Sequence, residues 1–187
     1  MSAPGVRAER RESPAGRART VALLSLLVAV GSVLSLFESL LPRPLPWAKP
    51  GLANLVTLVA LDRLGFAMAS MVALGRVLVA ALLTGSLANL PFAFSVAGAV
   101  LALLVMGAVE RWASPPFGVV GISLFGAVAH ACGQLIVAWA LLVRSQAVLA
   151  LVPSFGLTAA AAGLVVGVAA SILREPLHKL TPPLLTS

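Results

Sequence analysis

Long apolar runs with charges confined to their ends constrain the fold of this chain more than any motif in it. Six such segments follow one another, at about 20–41, 52–61, 64–83, 92–109, 119–143 and 147–173. In hydrocarbon every backbone N–H and C=O must find a partner inside the protein, so apolar runs of this length predict membrane helices. The first run ends at Leu41-Pro42-Arg43-Pro44-Leu45-Pro46, which no helix can continue. Composition points the same way. Only 10% of the residues are charged, against about 25% in soluble domains. A chain so poor in charge cannot cover its surface with water-holding groups, and its 187 residues suit one domain facing lipid. The first run is too long for a signal-peptide core and has no small-residue cleavage site, so it is expected to stay in the mature protein.

The second segment is only about half the roughly 20 residues of a full span. Charge placement decides whether it crosses. If it does, the tail arginines (Arg7, Arg10, Arg11, Arg17 and Arg19) share a side with Arg63, Arg111, Arg174 and Lys179, and Arg43, Lys49 and Arg144 lie opposite. If it does not, the basic residues divide evenly. Positive residues collect on the cytoplasmic side, so crossing is the better reading. The expectation is an all-α polytopic membrane protein, a six-transmembrane-helix bundle with both termini cytoplasmic. Its membrane domain covers 20–175, after a basic, disordered tail over 1–19 and before a C-terminal tail over 176–187. The net charge of +7 is thus a topology signal. It is not a nucleic-acid-binding stripe, and no nucleic-acid partner is expected.

Ionisable groups inside a bilayer are costly, about 2.5–3.5 kcal/mol each at a helix centre, and need a reason. Arg76 lies roughly two-thirds along the third segment, Glu38 near the outer end of the first, and Asn54 near the outer end of the second. His130 and Gln134, four apart in the fifth, share one helix face. With the orientation above, all five fall between the midplane and the outer surface. Two readings stand. In one, they line a polar pocket open to the outside, with Arg76 offering a permanent charge and a planar donor fork. In the other, Arg76 pairs with Glu38 and the amides satisfy carbonyls at kinks.

Other chemistry is thinly represented. There is no Gly-rich phosphate loop, no Gly-x-Ser-x-Gly elbow and no His-Glu-x-x-His, so neither an enzyme nor an ATP-driven motor is expected here. The single cysteine, Cys132, excludes an intramolecular disulfide, and no His/Cys/Asp cluster has metal-ligand spacing. No cofactor is expected. The loop over 42–50, with Trp47 and Lys49, reads as a stiff lid or an interfacial anchor. Ser25 with Ala29, and Gly31 with Ser35, form small-xxx-small pairs on the first helix. Such pairs mark close helix packing, within the protein or against a partner.

Several stretches resemble a known family: Glu38-Ser-Leu-Leu-Pro42, Lys49-Pro-Gly51-Leu-Ala-Asn54-Leu-Val-Thr-Leu, Arg76-Val-Leu, Thr84-Gly85-Ser86, and Ser123-Leu-Phe-Gly126-Ala-Val-Ala-His130-Ala-Cys-Gly133-Gln134. They look like the Gx transporter family, whose members carry the label heptaprenyl diphosphate synthase component I, over about residues 20–175. The chain departs from the pattern at Ala131, where the family usually has Asn after the histidine. That family is similar to the S components of energy-coupling factor transporters, six-helix proteins that capture a vitamin-sized solute from outside. The resemblance implies a substrate-capture subunit of the bacterial inner membrane, served by a transmembrane coupling protein and ATPases. It also implies docking through the Ser25 and Ala29 face of helix one. The alternative it carries is a non-catalytic accessory component of heptaprenyl diphosphate synthase in isoprenoid and menaquinone synthesis. Catalysis of that reaction needs aspartate-rich magnesium sites, and this chain has one aspartate, Asp62.

Overall fold

The computed structural model describes residues 14–40, 51–113, 117–142 and 146–180. The tail before Pro14, the loop 42–50 with Trp47 and Lys49, Arg144 and the end of the C-terminal tail lie outside them. Five helices carry the fold: α1 Pro14–Leu40, α2 Asn54–Thr84, α3 Leu90–Ala113, α4 Gly118–Val137 and α5 Val152–Leu180. A π turn over Ala138–Leu142 extends α4, and a 3-10 turn over Gln146–Leu151 leads into α5. Helix α1 starts earlier than expected, so Arg17 and Arg19 belong to its first turns. Five helices among the described residues are long and apolar enough to cross a membrane, against the six expected.

The difference lies in α2, which joins the expected second and third segments into one element. It is interrupted at Gly65, whose φ of 77° and ψ of 176° are outside any helix. Only glycine adopts that region cheaply. The break reverses the chain. In an unbroken helix residues 57 and 76 would be about 28 Å apart, yet Arg76 Nε donates to Thr57 Oγ1 at 3.3 Å. Residues 54–64 and 66–84 are therefore two antiparallel arms of a helical hairpin. The first is about 16 Å long, half the thickness of a bilayer core, which is why it fails as a span by length.

The second arm ends where Gly85 takes φ 65°, ψ 22°. Ser86 N–H donates to Ala81 O at 2.8 Å and Gly85 N–H to Leu82 O at 3.3 Å. This left-handed closure satisfies the last carbonyls and stops the helix. From there α3 runs back beside the bend. Gly107 lies under the Phe66 ring, where a Cβ would come within 2.6 Å. Gly133 of α4 sits against the α3 backbone, its missing Cβ 2.6 Å from Ala97 O. At Gly163 and Gly167 of α5 a Cβ would stand 3.0 Å and 2.8 Å from the α4 backbone at Leu124 and Val120. Small residues thus let these membrane-type helices pack tightly.

The bundle consequently has two unlike ends. At the bend, Asp62 pairs with Arg174 of α5 at 3.0 Å and with Arg63 at 3.5 Å, and Arg63 donates to the Arg174 carbonyl. Arg17, Arg19 and Arg111 belong to the same end by helix direction. At the other end the C-terminus of α1 meets the start of α2, where Ala53 N–H donates to Glu38 Oε1 at 3.1 Å. The outer flanks are apolar: Leu26, Val30, Leu104, Ile136, Leu164 and Val165 are exposed. The core uses small and medium residues such as Ala60, Leu61, Val72, Ala102 and Met106. A water-soluble fold buries such a surface, whereas a membrane protein presents it to lipid.

Candidate binding cavity

Helical register puts Asn54 and Thr57 on one face of the first α2 arm, one turn apart. That face looks across to Arg76 on the second arm. Arg76 Nη2 donates to Asn54 Oδ1 at 2.7 Å, and Nη1 to Ser35 Oγ of α1 at 3.3 Å. Gly31 of α1 makes room for the arginine, since a Cβ there would stand 2.9 Å from Arg76 Cδ. Ser32 Oγ lies 3.4 Å from the Arg76 carbonyl and 2.8 Å from the Val28 carbonyl. The charge is buried among uncharged acceptors. Glu38 is buried close by, but no carboxylate among the described residues comes within ion-pair distance of Arg76. Glu38 nevertheless acts on the Arg76 charge at longer range, so the two groups share one buried environment.

His130 and Gln134 meet as their spacing predicts, Gln134 Nε2 and His130 Nε2 being 3.0 Å apart. The imidazole fills a notch in α3 that exists because residue 98 is glycine. A Cβ there would lie 2.7–2.9 Å from three ring atoms. Gly51, at φ 82°, places bare backbone between the Asn54 amide and the His130 ring. Asn54 Nδ2 is a buried donor with no hydrogen-bond partner.

These residues surround a cavity of about 240 Å³, just below the roughly 300–1,000 Å³ of typical small-molecule sites. Glu38, Arg76 and His130 line its floor. Asn54 and Gln134 do not touch it. They stand one layer behind, holding Arg76 and His130 in place. Thr84, Ser86, Pro91 and Ser95 form the rim, with Leu36 and Phe92 as apolar walls. Sequence reasoning missed Gly98 and Ser95, quoted Thr57, Thr84 and Ser86 only within family-like stretches without a role, and took Ser35 only as a small packing residue. Thr57 had a usable signal, three residues after Asn54 on the same helical face. Gly98 had none, because its role depends on a ring from another helix.

The two small pairs of α1 separate. Gly31 and Ser35 pack inside against Arg76, whereas Ser25 and Ala29 lie on the exposed face. Cys132 is half-buried and unbridged. Among the described residues no three His, Cys, Asp or Glu side chains gather as metal ligands.

A lipid-facing helical shell around a buried, charged cavity defines a multi-pass α-helical membrane protein with an internal polar site. Residues 27–173 match the model of the family described as heptaprenyl diphosphate synthase component I, and the chain belongs to that family. No curated protein and no solved structure matches it.

Proposed function

We propose that this chain is a substrate-binding membrane subunit that captures a small solute from the outer side and depends on partner subunits for energy. The observation carrying this reading is Arg76. A buried guanidinium hydrogen-bonded to three neutral side chains, facing a cavity that it shares with the buried Glu38, is costly to keep in a membrane without a functional reason. Glu38, Asn54, His130 and Gln134 complete the site, the first and third at its wall and the others as supports. The first α2 arm is only half a bilayer core long, yet we count it as a pass, because α1 runs away from the end where the bend lies and the short arm returns to it. That makes six passes, with the bend and both termini cytoplasmic. The arginine-rich end then lies inside, in keeping with the bias of cytoplasmic loops, and the cavity rim faces out. The exposed Ser25 and Ala29 face of α1 is then free to dock on a coupling protein, as in S components of energy-coupling factor transporters.

A second reading has a specific support, the description of the family itself. As component I of a heptaprenyl diphosphate synthase, the chain would be a membrane accessory to a separate catalytic subunit. It would not carry the reaction, because its one aspartate is engaged with Arg63 and Arg174. Affinity purification of the tagged chain from its native membrane in mild detergent separates the two. A transmembrane coupling protein and ATPases recovered with it support transport. A soluble aspartate-rich synthase, with chain-elongating activity gained on mixing, supports the accessory role and counts against transport.

A further inference from the structure

The charges on the cavity wall narrow its occupant more than its size does. Among the described residues, Arg76 and Glu38 are the two charged side chains that line it, and both are buried. They carry opposite signs, and Glu38 acts on the Arg76 charge. The amide nitrogen of Gln134 can only donate, so His130 Nε2 accepts and the ring adds no third charge. The described wall is therefore neutral in sum. A carboxylate or phosphate that meets Arg76 here also meets Glu38, and an amine that meets Glu38 also meets Arg76. In a medium of low dielectric the repulsion works against the attraction at similar range. Neither ion has its lost hydration fully offset.

Hydrogen-bonding capacity remains on both groups. Guanidinium carries five N–H donors, and Arg76 gives three of them to Thr57, Ser35 and Asn54. One N–H is left on each terminal nitrogen. An ionised carboxylate accepts at about four positions. Engagement of Glu38 by the Ala53 N–H and by a further neighbour does not exhaust it. Beside this donor and this acceptor the wall is apolar, built from Leu36, Val77, Ala80 and Phe92. A fitting occupant thus carries an acceptor and a donor along one edge and hydrocarbon-like faces elsewhere.

Resting on the solute-binding reading above, we infer that the cavity takes a small uncharged ring with an amide edge, a lactam or cyclic ureide, its carbonyl on Arg76 and its N–H on Glu38. Such an edge sets acceptor and donor side by side and leaves the ring faces for the apolar wall. A sugar carries hydroxyls all round, and those turned towards Leu36, Val77 and Phe92 would be buried without partners. Glu38 then sets the specificity, by repelling anions that Arg76 alone would attract.

The test is thermal stabilisation of the full chain in detergent by matched probes: 2-piperidone and uracil, cyclohexanone, 5-aminovalerate and pentanoate. The lactam and the ureide are expected to stabilise. Cyclohexanone keeps the carbonyl without the N–H and should bind about tenfold more weakly. The ring-opened zwitterion and the anion should not stabilise the parent. Glu38→Gln keeps an acceptor for Ala53 and removes the charge, so it should gain pentanoate binding, a gain that misfolding cannot produce. Arg76→Gln should bind neither the lactam nor the anion. Pentanoate or 5-aminovalerate stabilising the parent as well as 2-piperidone overturns the inference while the solute-binding reading stands. So does a folded Glu38→Gln variant that gains nothing from pentanoate. If no probe binds, the solutes retained from a cell extract decide. An uncharged cyclic amide upholds the inference, any other solute overturns it alone, and retention of none overturns both.

Discussion

Arg76 reaches its partners from two other segments of chain, and each partner keeps a donor of the buried cation satisfied. Thr57 takes the Nε–H. Thr57→Val keeps the shape and removes that acceptor, so stability should fall by about 1–3 kcal/mol, the cost of an unsatisfied buried donor. Thermal unfolding in detergent measures it, and an unchanged midpoint would mean that water or another group takes the proton. Gly98→Ala puts a methyl group into the imidazole of His130. Overpacking of this kind costs about 1–3 kcal/mol, and displacing the ring from the cavity wall should weaken solute binding as well. The five polar residues were legible because charge and amide groups stand out in apolar runs. Which of them touch the cavity was not legible. That Asn54 and Gln134 stand behind Arg76 and His130 depends on how separate helices are turned towards each other.

At the scale of elements, the hairpin of α2 is what brings Asn54 and Thr57 to Arg76. It rests on one backbone conformation, since nothing lies within 4 Å of the position a Gly65 Cβ would take. Gly65→Ala should therefore destabilise the protein by about 1–3 kcal/mol through backbone strain alone. Gly133→Ala acts differently, by pushing α4 off the backbone of α3 at Ala97. It should cost at least as much, and a second substitution at Ala97 should not relieve it, because the clash is with main-chain atoms. Equal stability of Gly133→Ala and the parent would show that the two helices separate freely. Apolar length revealed every segment, and Asp62-Arg63 marked the end of the short one within three residues of the bend. A bend tight enough to read as one broken helix was not visible, because it depends on the φ of a single glycine among good helix formers.

The whole molecule is polarised. Among the described residues every arginine except Arg76 lies at the end where α2 bends. The ion pairs there are partly exposed, so Asp62→Asn should cost no more than about 1 kcal/mol. Their placement matters more for orientation. In a Cys132→Ala background, a membrane-impermeant maleimide added to intact cells should label Ser86→Cys and should reach Arg111→Cys only after lysis. The reverse pattern would turn the bundle over. Orientation was read from the count of basic residues, whereas the meeting of Thr84, Ser86 and Ser95 at one rim came only with the coordinates, since it depends on how α2 ends and α3 begins. The most direct measurement is equilibrium dialysis of a cell metabolite extract against the purified chain and its Arg76→Gln variant, with retained solutes identified by mass spectrometry. A small solute held by the parent and lost from a folded variant is the expected result. The same solutes retained by both, or none by either, would contradict a binding site built on Arg76.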